Sequence, residues 1–196
     1  MNQYDKDAEH EFVMSHPQSY QPMDQPHRKV LAAIILPTAT GKSFLVKQGL
    51  PPHVKEADHI CHVRETYLLS EFRDDAKVTG DWSRYDKQLA AHLRLRANDG
   101  DIILLASSDL AVALDSVILG TCILGRQLWE NNVLTRGQPV SKYEGCYNAA
   151  LKNAEMISDS YGDLYNRVMD LIAVWDMYME GIRHERKMTP KIVVGN

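Results

Sequence analysis

The chain has 196 residues, 44% of them hydrophobic, with a formal charge of −4 and a pI near 6.0. That length and apolar content suit one α/β domain with its own core, and the mild acidity argues against a strong, non-specific grip on nucleic acid while leaving a local basic patch open. Three scattered cysteines, Cys61, Cys122 and Cys146, read as reduced thiols of an intracellular, cytoplasmic protein and not as a disulfide framework.

Residues 1–28 are rich in Gln, His, Asp, Tyr and Pro and show no apolar period. They read as an extended polar arm, suited to docking on a protein partner, with residues 29–196 forming the domain. The arm is too polar for a signal peptide, and no apolar run reaches the ~18 residues a membrane helix needs. From Val30 the chain alternates strand and helix signals. Apolar runs at residues 30–36, 101–106, 116–122 and 191–194 are continuous, as expected for a parallel sheet covered on both faces. Residues 84–97 predict an amphipathic helix through Leu89, His92, Leu93 and Leu95. The last third predicts two helices. The first covers residues 142–160. The second is capped by Asp163, carries Leu164, Val168, Leu171, Ile172, Trp175, Met179 and Ile182 at helical spacing, and ends at Pro190. The expected fold is three-layer α/β with a mostly parallel sheet and a helical C-terminal third.

Function points to the end of the first apolar run, where Pro37-Thr38-Ala39-Thr40-Gly41-Lys42-Ser43 joins a strand to a helix. Such a turn aims backbone amides at an anion, and the helix N-terminus adds partial positive charge. Lys42 reaches the β- and γ-phosphates of a nucleoside triphosphate, and Ser43 offers its hydroxyl to Mg²⁺. Gly41 is expected to be intolerant because a Cβ would crowd the phosphate, whereas Ala39 implies that no left-handed residue is needed at its position.

Metal binding also calls for a carboxylate at the end of another strand. Glu56 and Asp58, Asp109, and Asp115 are the candidates. Asp109, after the run at 101–106, reads as the residue assisting Mg²⁺, with helix capping as its structural alternative. Asp58 reads as the group facing an acceptor and taking its proton. Residues 125–138 read as a polar lid between Gly125 and Gly137, carrying Arg126 and Arg136 for charge on the transferring phosphoryl group. His59, Cys61 and His62 lack the partners of a zinc site.

The stretch 36–43, LPTATGKS, resembles the Walker A loop of P-loop NTPases, with Leu36 in place of the first glycine. It is similar to the loop of tRNA dimethylallyltransferases and to motif I of DExH-type helicases. Glu56-Ala57-Asp58 resembles the D-x-D of small-molecule kinases such as shikimate kinase. The chain departs from the first two families: residues 106–109 read Ala-Ser-Ser-Asp where dimethylallyltransferases carry Gly-Gly-Thr-Gly, and Glu56–His59 lies too near Lys42 for a helicase motif II. The resemblance implies an NTPase or kinase-like phosphotransferase using ATP or GTP with Mg²⁺ and a small-molecule or nucleotide acceptor. The alternative is a nucleotide-binding structural subunit of a nucleoprotein or viral assembly, a virion component with little turnover.

Overall fold

The computed structural model describes residues 29–61 and 63–188. The arm at residues 1–28 and the expected strand at 191–194 lie outside them. Among the described residues the chain forms β1 (Ala32–Ile35), α1 (Lys42–Lys47), β2 (Val54–Glu56), α2 (Ala57–Ile60), α3 (Val63–Thr79), α4 (Ser83–Arg96), β3 (Ile102–Leu105), α5 (Ser108–Leu114), β4 (Val117–Leu124), α6 (Arg126–Thr135), α7 (Ser141–Asn153), β5 (Met156–Ser158) and α8 (Tyr161–Met188). None of these helices is long and apolar enough to cross a membrane.

The five strands make one parallel sheet in the order β2-β3-β1-β4-β5. Every residue of β1 and β3 is buried, which is why their sequences are apolar runs without alternation. The pleat of β1 still sorts its side chains. Ala32 and Ile34 face a core completed by Trp129, Val133, Tyr147, Leu164, Val168, Ile172 and Trp175, hence by α6, α7 and α8. Leu31, Ala33 and Ile35 face Leu69, Leu89, Leu93, Leu110 and Leu114 of α3, α4 and α5. The result is three layers, helices on both faces of a parallel sheet.

Four expectations need correcting. Residues 125–138 are not a polar lid: Arg126–Thr135 is helical, with Trp129 and Val133 buried one turn apart. The 142–160 segment is not one helix either. It stops at Asn153, and Met156–Ser158 pairs beside β4. A three-residue strand is too short to print a period of two, so Ile157 passed for a continuation of the helical stripe. The last helix begins at Tyr161, and its cap is Ser160: the Ser160 hydroxyl accepts from the Asp163 amide at 3.1 Å and donates to the Asp163 carboxylate at 2.7 Å. That is a reciprocal capping arrangement in which Asp163 is the second partner. On α4, Leu95 is 60% exposed; the buried stripe runs through Asp86, Leu89, Ala90 and Leu93.

Because all strands run the same way, their carboxyl ends share one edge. The connection leaving β1 runs toward β2 on one side, and the connection leaving β4 runs to β5 on the other. Ligand crevices of open α/β sheets open where outgoing connections diverge in this way. Residues 36–43 leave β1 at that point.

Candidate functional site

The turn after β1 is built by two left-handed residues. Ala39 has φ +67° and Gly41 φ +99°, and the Thr40 amide closes the turn on the Pro37 carbonyl at 3.1 Å. Ala39 therefore does adopt the conformation its identity argued against, at the steric cost a Cβ carries there. Gly41 is required by its backbone, but the obstacle to a Cβ is Tyr161: it would sit 2.8 Å from the Tyr161 ring. The amides of residues 41–44 precede the first helical bond of α1, from the Leu45 amide to the Gly41 carbonyl at 3.0 Å, and the N-cap residue, Gly41, has no side chain to cap them.

The loop is held from behind by α6 and α8. Trp129 donates its indole N–H to the Thr38 carbonyl at 2.9 Å, and the Asn132 amide donates to the Ala39 carbonyl at 2.8 Å. Tyr161 donates its hydroxyl to Asn132 at 2.7 Å and packs its ring 4.6 Å from that of Phe44. These four side chains were not legible as site residues. Their only sequence trace is the i, i+3 spacing of Trp129 and Asn132 on one helix face.

Pro37, Ala39 and Thr40 are buried, and Thr38 and Gly41 are half-buried. The Thr40 hydroxyl is fully buried with no hydrogen-bond partner among the described residues, an orphan donor inside the turn. Lys42 donates to the Leu36 carbonyl at 2.9 Å. Burial lowers its pKa from the usual lysine value; the nearby carboxylates of Asp58 and Glu56 oppose that shift, and Arg136 adds to it. Ser43 points its hydroxyl at both oxygens of Glu56, at 3.2 and 3.3 Å. Glu56, the last residue of β2, is 5% exposed and also lies 3.5 Å from His59 Nδ1.

The edge thus brings Lys42, Ser43, Glu56, Asp58 and Arg136 together. The carboxylate delivered to Ser43 is Glu56. Asp109 lies in the first turn of α5, exposed, where Ser107 is the cap that accepts from the Leu110 amide at 3.2 Å; its charge bears on Asp86 of α4 instead. Asp115 follows α5 before β4, at the opposite edge, against Arg94. Arg126 begins α6, pairs with Glu130, and donates to Glu144 at 2.6 Å. Its guanidinium lies over the rings of Trp129 and Tyr147. It is a brace of α6 and α7, whereas Arg136, at the end of α6, is the arginine that bears on Lys42.

Among the described residues no group of three or more His, Cys, Asp or Glu side chains is arranged to hold a metal alone. A cation at Ser43 and Glu56 would therefore need ligands from phosphate oxygens and water, the usual habit of Mg²⁺. Compared with known proteins, the chain matches no family model, no curated protein and no solved structure.

Proposed function

We propose that this chain is a P-loop protein that binds ATP or GTP with Mg²⁺ and acts as an NTPase or kinase-like phosphotransferase. The observation that carries this reading is the Ser43–Glu56 contact beside Lys42, on a turn of two left-handed residues at the diverging point of a parallel sheet. The residues fit the ligand. The orphan Thr40 hydroxyl and the Lys42 ammonium are donors that an anion at this turn would engage.

In this reading Lys42 exchanges the Leu36 carbonyl for phosphate oxygens. Ser43 and Glu56 would hold the metal together with phosphate oxygens and water. Mg²⁺ when bound supplies charge neutralisation on the phosphates. Asp58 is exposed next to Lys42, where it accepts the proton of an attacking hydroxyl. Arg136 adds positive charge on the same side. Trp129, Asn132 and Tyr161 keep the turn in its bent form without touching the phosphates.

The test is a thermal shift with millimolar Mg-ATP and Mg-GTP, followed by phosphate release with and without nucleosides and other small hydroxyl acceptors. Wild type should gain stability with one nucleotide, and Lys42→Ala should bind at least tenfold more weakly. Binding without turnover under any acceptor would favour a nucleotide-stabilised structural subunit. A wild-type protein that shows no nucleotide-dependent shift refutes both.

A further inference from the structure

α8 carries two apolar faces. One, through Leu164, Val168, Ile172, Trp175 and Met179, is buried in the core. On the other, Val174 is 57% exposed, Met177 67% and Tyr178 52%. These three are neighbours on the helix surface. Elsewhere among the described residues, large apolar side chains more than half exposed stand one to a helix: Val78, Leu95, Val112 and Leu134. Single exposures are ordinary; several together mark a contact surface. The exposed face also keeps a coiled-coil spacing. Asp170, Val174, Met177, Gly181 and His184 follow one another at four, three, four and three residues, the alternation that holds a seam on one side of a helix.

The seam is apolar at its centre and polar at its ends, with Asp176, Glu180, Arg183 and His184 around a cavity of about 460 Å³ on one flank. An apolar centre with a polar rim is the anatomy of a protein interface. Tyr178 is held in place beforehand. Its ring lies 5.3 Å from that of Trp175, whose indole N–H donates to the Gly100 carbonyl at 2.8 Å, so burying it against a partner costs little side-chain freedom. Gly181 is the residue the fold itself does not explain. It lies inside a helix, where glycine is a weaker choice than alanine, and a Cβ there would meet nothing within 4 Å. The helix keeps room on its outer side that no described residue uses.

We propose that this face of α8 packs against the same face of a second copy of the chain, with the two helices antiparallel. The face is self-complementary in that direction. An antiparallel copy packs Val174, Met177 and Tyr178 of both chains together at the centre. It brings the Asp170 carboxylate of each to the turn at residues 181–184 of the other, where Gly181 lets the backbones approach and the His184 imidazole donates. A parallel copy would set Asp170 against Asp170, a like-charge contact that works against pairing. Trp175 and Met179 pack at Gly100, just before β3, so the contact lies toward the amino edge of the sheet. It leaves the loop at 37–43 open in both copies and does not rest on nucleotide binding.

The experiment is sedimentation velocity of the full chain, from micromolar to hundreds of micromolar, with thermal melting alongside. Wild type should form a dimer as concentration rises. Gly181→Leu should raise the dissociation constant at least about tenfold, although leucine is the better helix former and adds apolar surface. The dilute variant should melt no lower than dilute wild type, which separates a blocked contact from a damaged fold. Asp170→Arg and His184→Asp should each weaken the dimer, and the double variant should restore it, because the exchanged charges meet again only between antiparallel helices. A chain that stays monomeric throughout overturns the proposal; if Gly181→Leu then lowers the melting temperature, another segment of the same chain covers the seam. A dimer that Gly181→Leu leaves intact or strengthens overturns it as well. So does a double variant no tighter than its weaker parent, the result expected of a parallel pair or of an interface elsewhere.

Discussion

Replacing Asp86 by asparagine should make the protein more stable at neutral pH, and the gain should depend on pH in one direction only. Burial, reinforced by the neighbouring Asp109 carboxylate, lifts the Asp86 pKa from 3.8 to about 6. The folded state therefore holds this proton more tightly than the unfolded chain. Between those two values the folded state binds more protons, so stability falls as pH rises; below 3.8 there is no penalty, and above about 6 it is complete. Two pKa units correspond to at most about 3 kcal/mol, and solvent screening of a carboxylate that keeps contact with water lowers that. Asparagine keeps the size but must bury an amide in the same place, so the expected gain at pH 7 is about 1–3 kcal/mol. The assay is urea unfolding of both proteins at several values between pH 4 and pH 7. With a slope of about 2 kcal/mol per molar, the midpoint difference should be near zero at pH 4 and roughly 0.5–1.5 M at pH 7. The difference between the two proteins cancels every titrating group that does not interact with Asp86, leaving Asp86 and its neighbour Asp109. A difference that stays constant across this range, or a variant less stable than wild type at pH 7, refutes the account of Asp86 as an uncompensated buried acid.

Gly41→Ala should cost about 1–2 kcal/mol for the left-handed backbone alone, and more for the contact with Tyr161; adding Tyr161→Ala should recover part of the second cost and none of the first, as a double-mutant cycle by thermal melting would read it. Glu56→Gln keeps the hydrogen bond to Ser43 but removes the charge, so nucleotide-dependent stabilisation should lose its dependence on Mg²⁺ concentration while binding of nucleotide without metal persists; an unchanged Mg²⁺ dependence would place the metal elsewhere. Arg136→Ala should lower kcat by at least about 10²-fold with little change in nucleotide affinity, whereas Arg126→Ala should act on stability, loosening α6 from α7 without a matching loss of kcat at temperatures where it is folded. The reverse pattern would return the transferring-phosphate role to Arg126.

The local parts of this protein were legible without coordinates. Continuous apolar runs marked β1 and β3 because a strand buried on both faces has no polar side to show; a third such run marked β4, which is buried only from Gly120 onward. The turn at 37–43 announced itself through Gly41-Lys42-Ser43 directly after such a run, and α8 through its helical period. What the sequence left open or misread was set by contacts between segments far apart in the chain. Residues 125–138 looked like a lid because their charged and amide residues hide two buried positions, Trp129 and Val133, that only matter once α6 lies on the sheet. The strand order, and with it the place where the loop opens, depends on which side each connection turns. Glu56 and Asp58 are two residues apart and equal as letters. On one strand, residues two apart would share a face; they part here because β2 ends at Glu56, buried against Ser43, and α2 begins at Ala57, leaving Asp58 exposed near Lys42. Asp86 and Asp109 are 23 positions apart on different helices, and nothing in either neighbourhood says that their charges bear on one another. Composition and period decide whether a segment becomes strand or helix, because those depend on neighbours along the chain. The partners of a charged side chain depend on packing, because Coulombic and hydrogen-bond energies fall off with distance in space and take no account of distance in sequence.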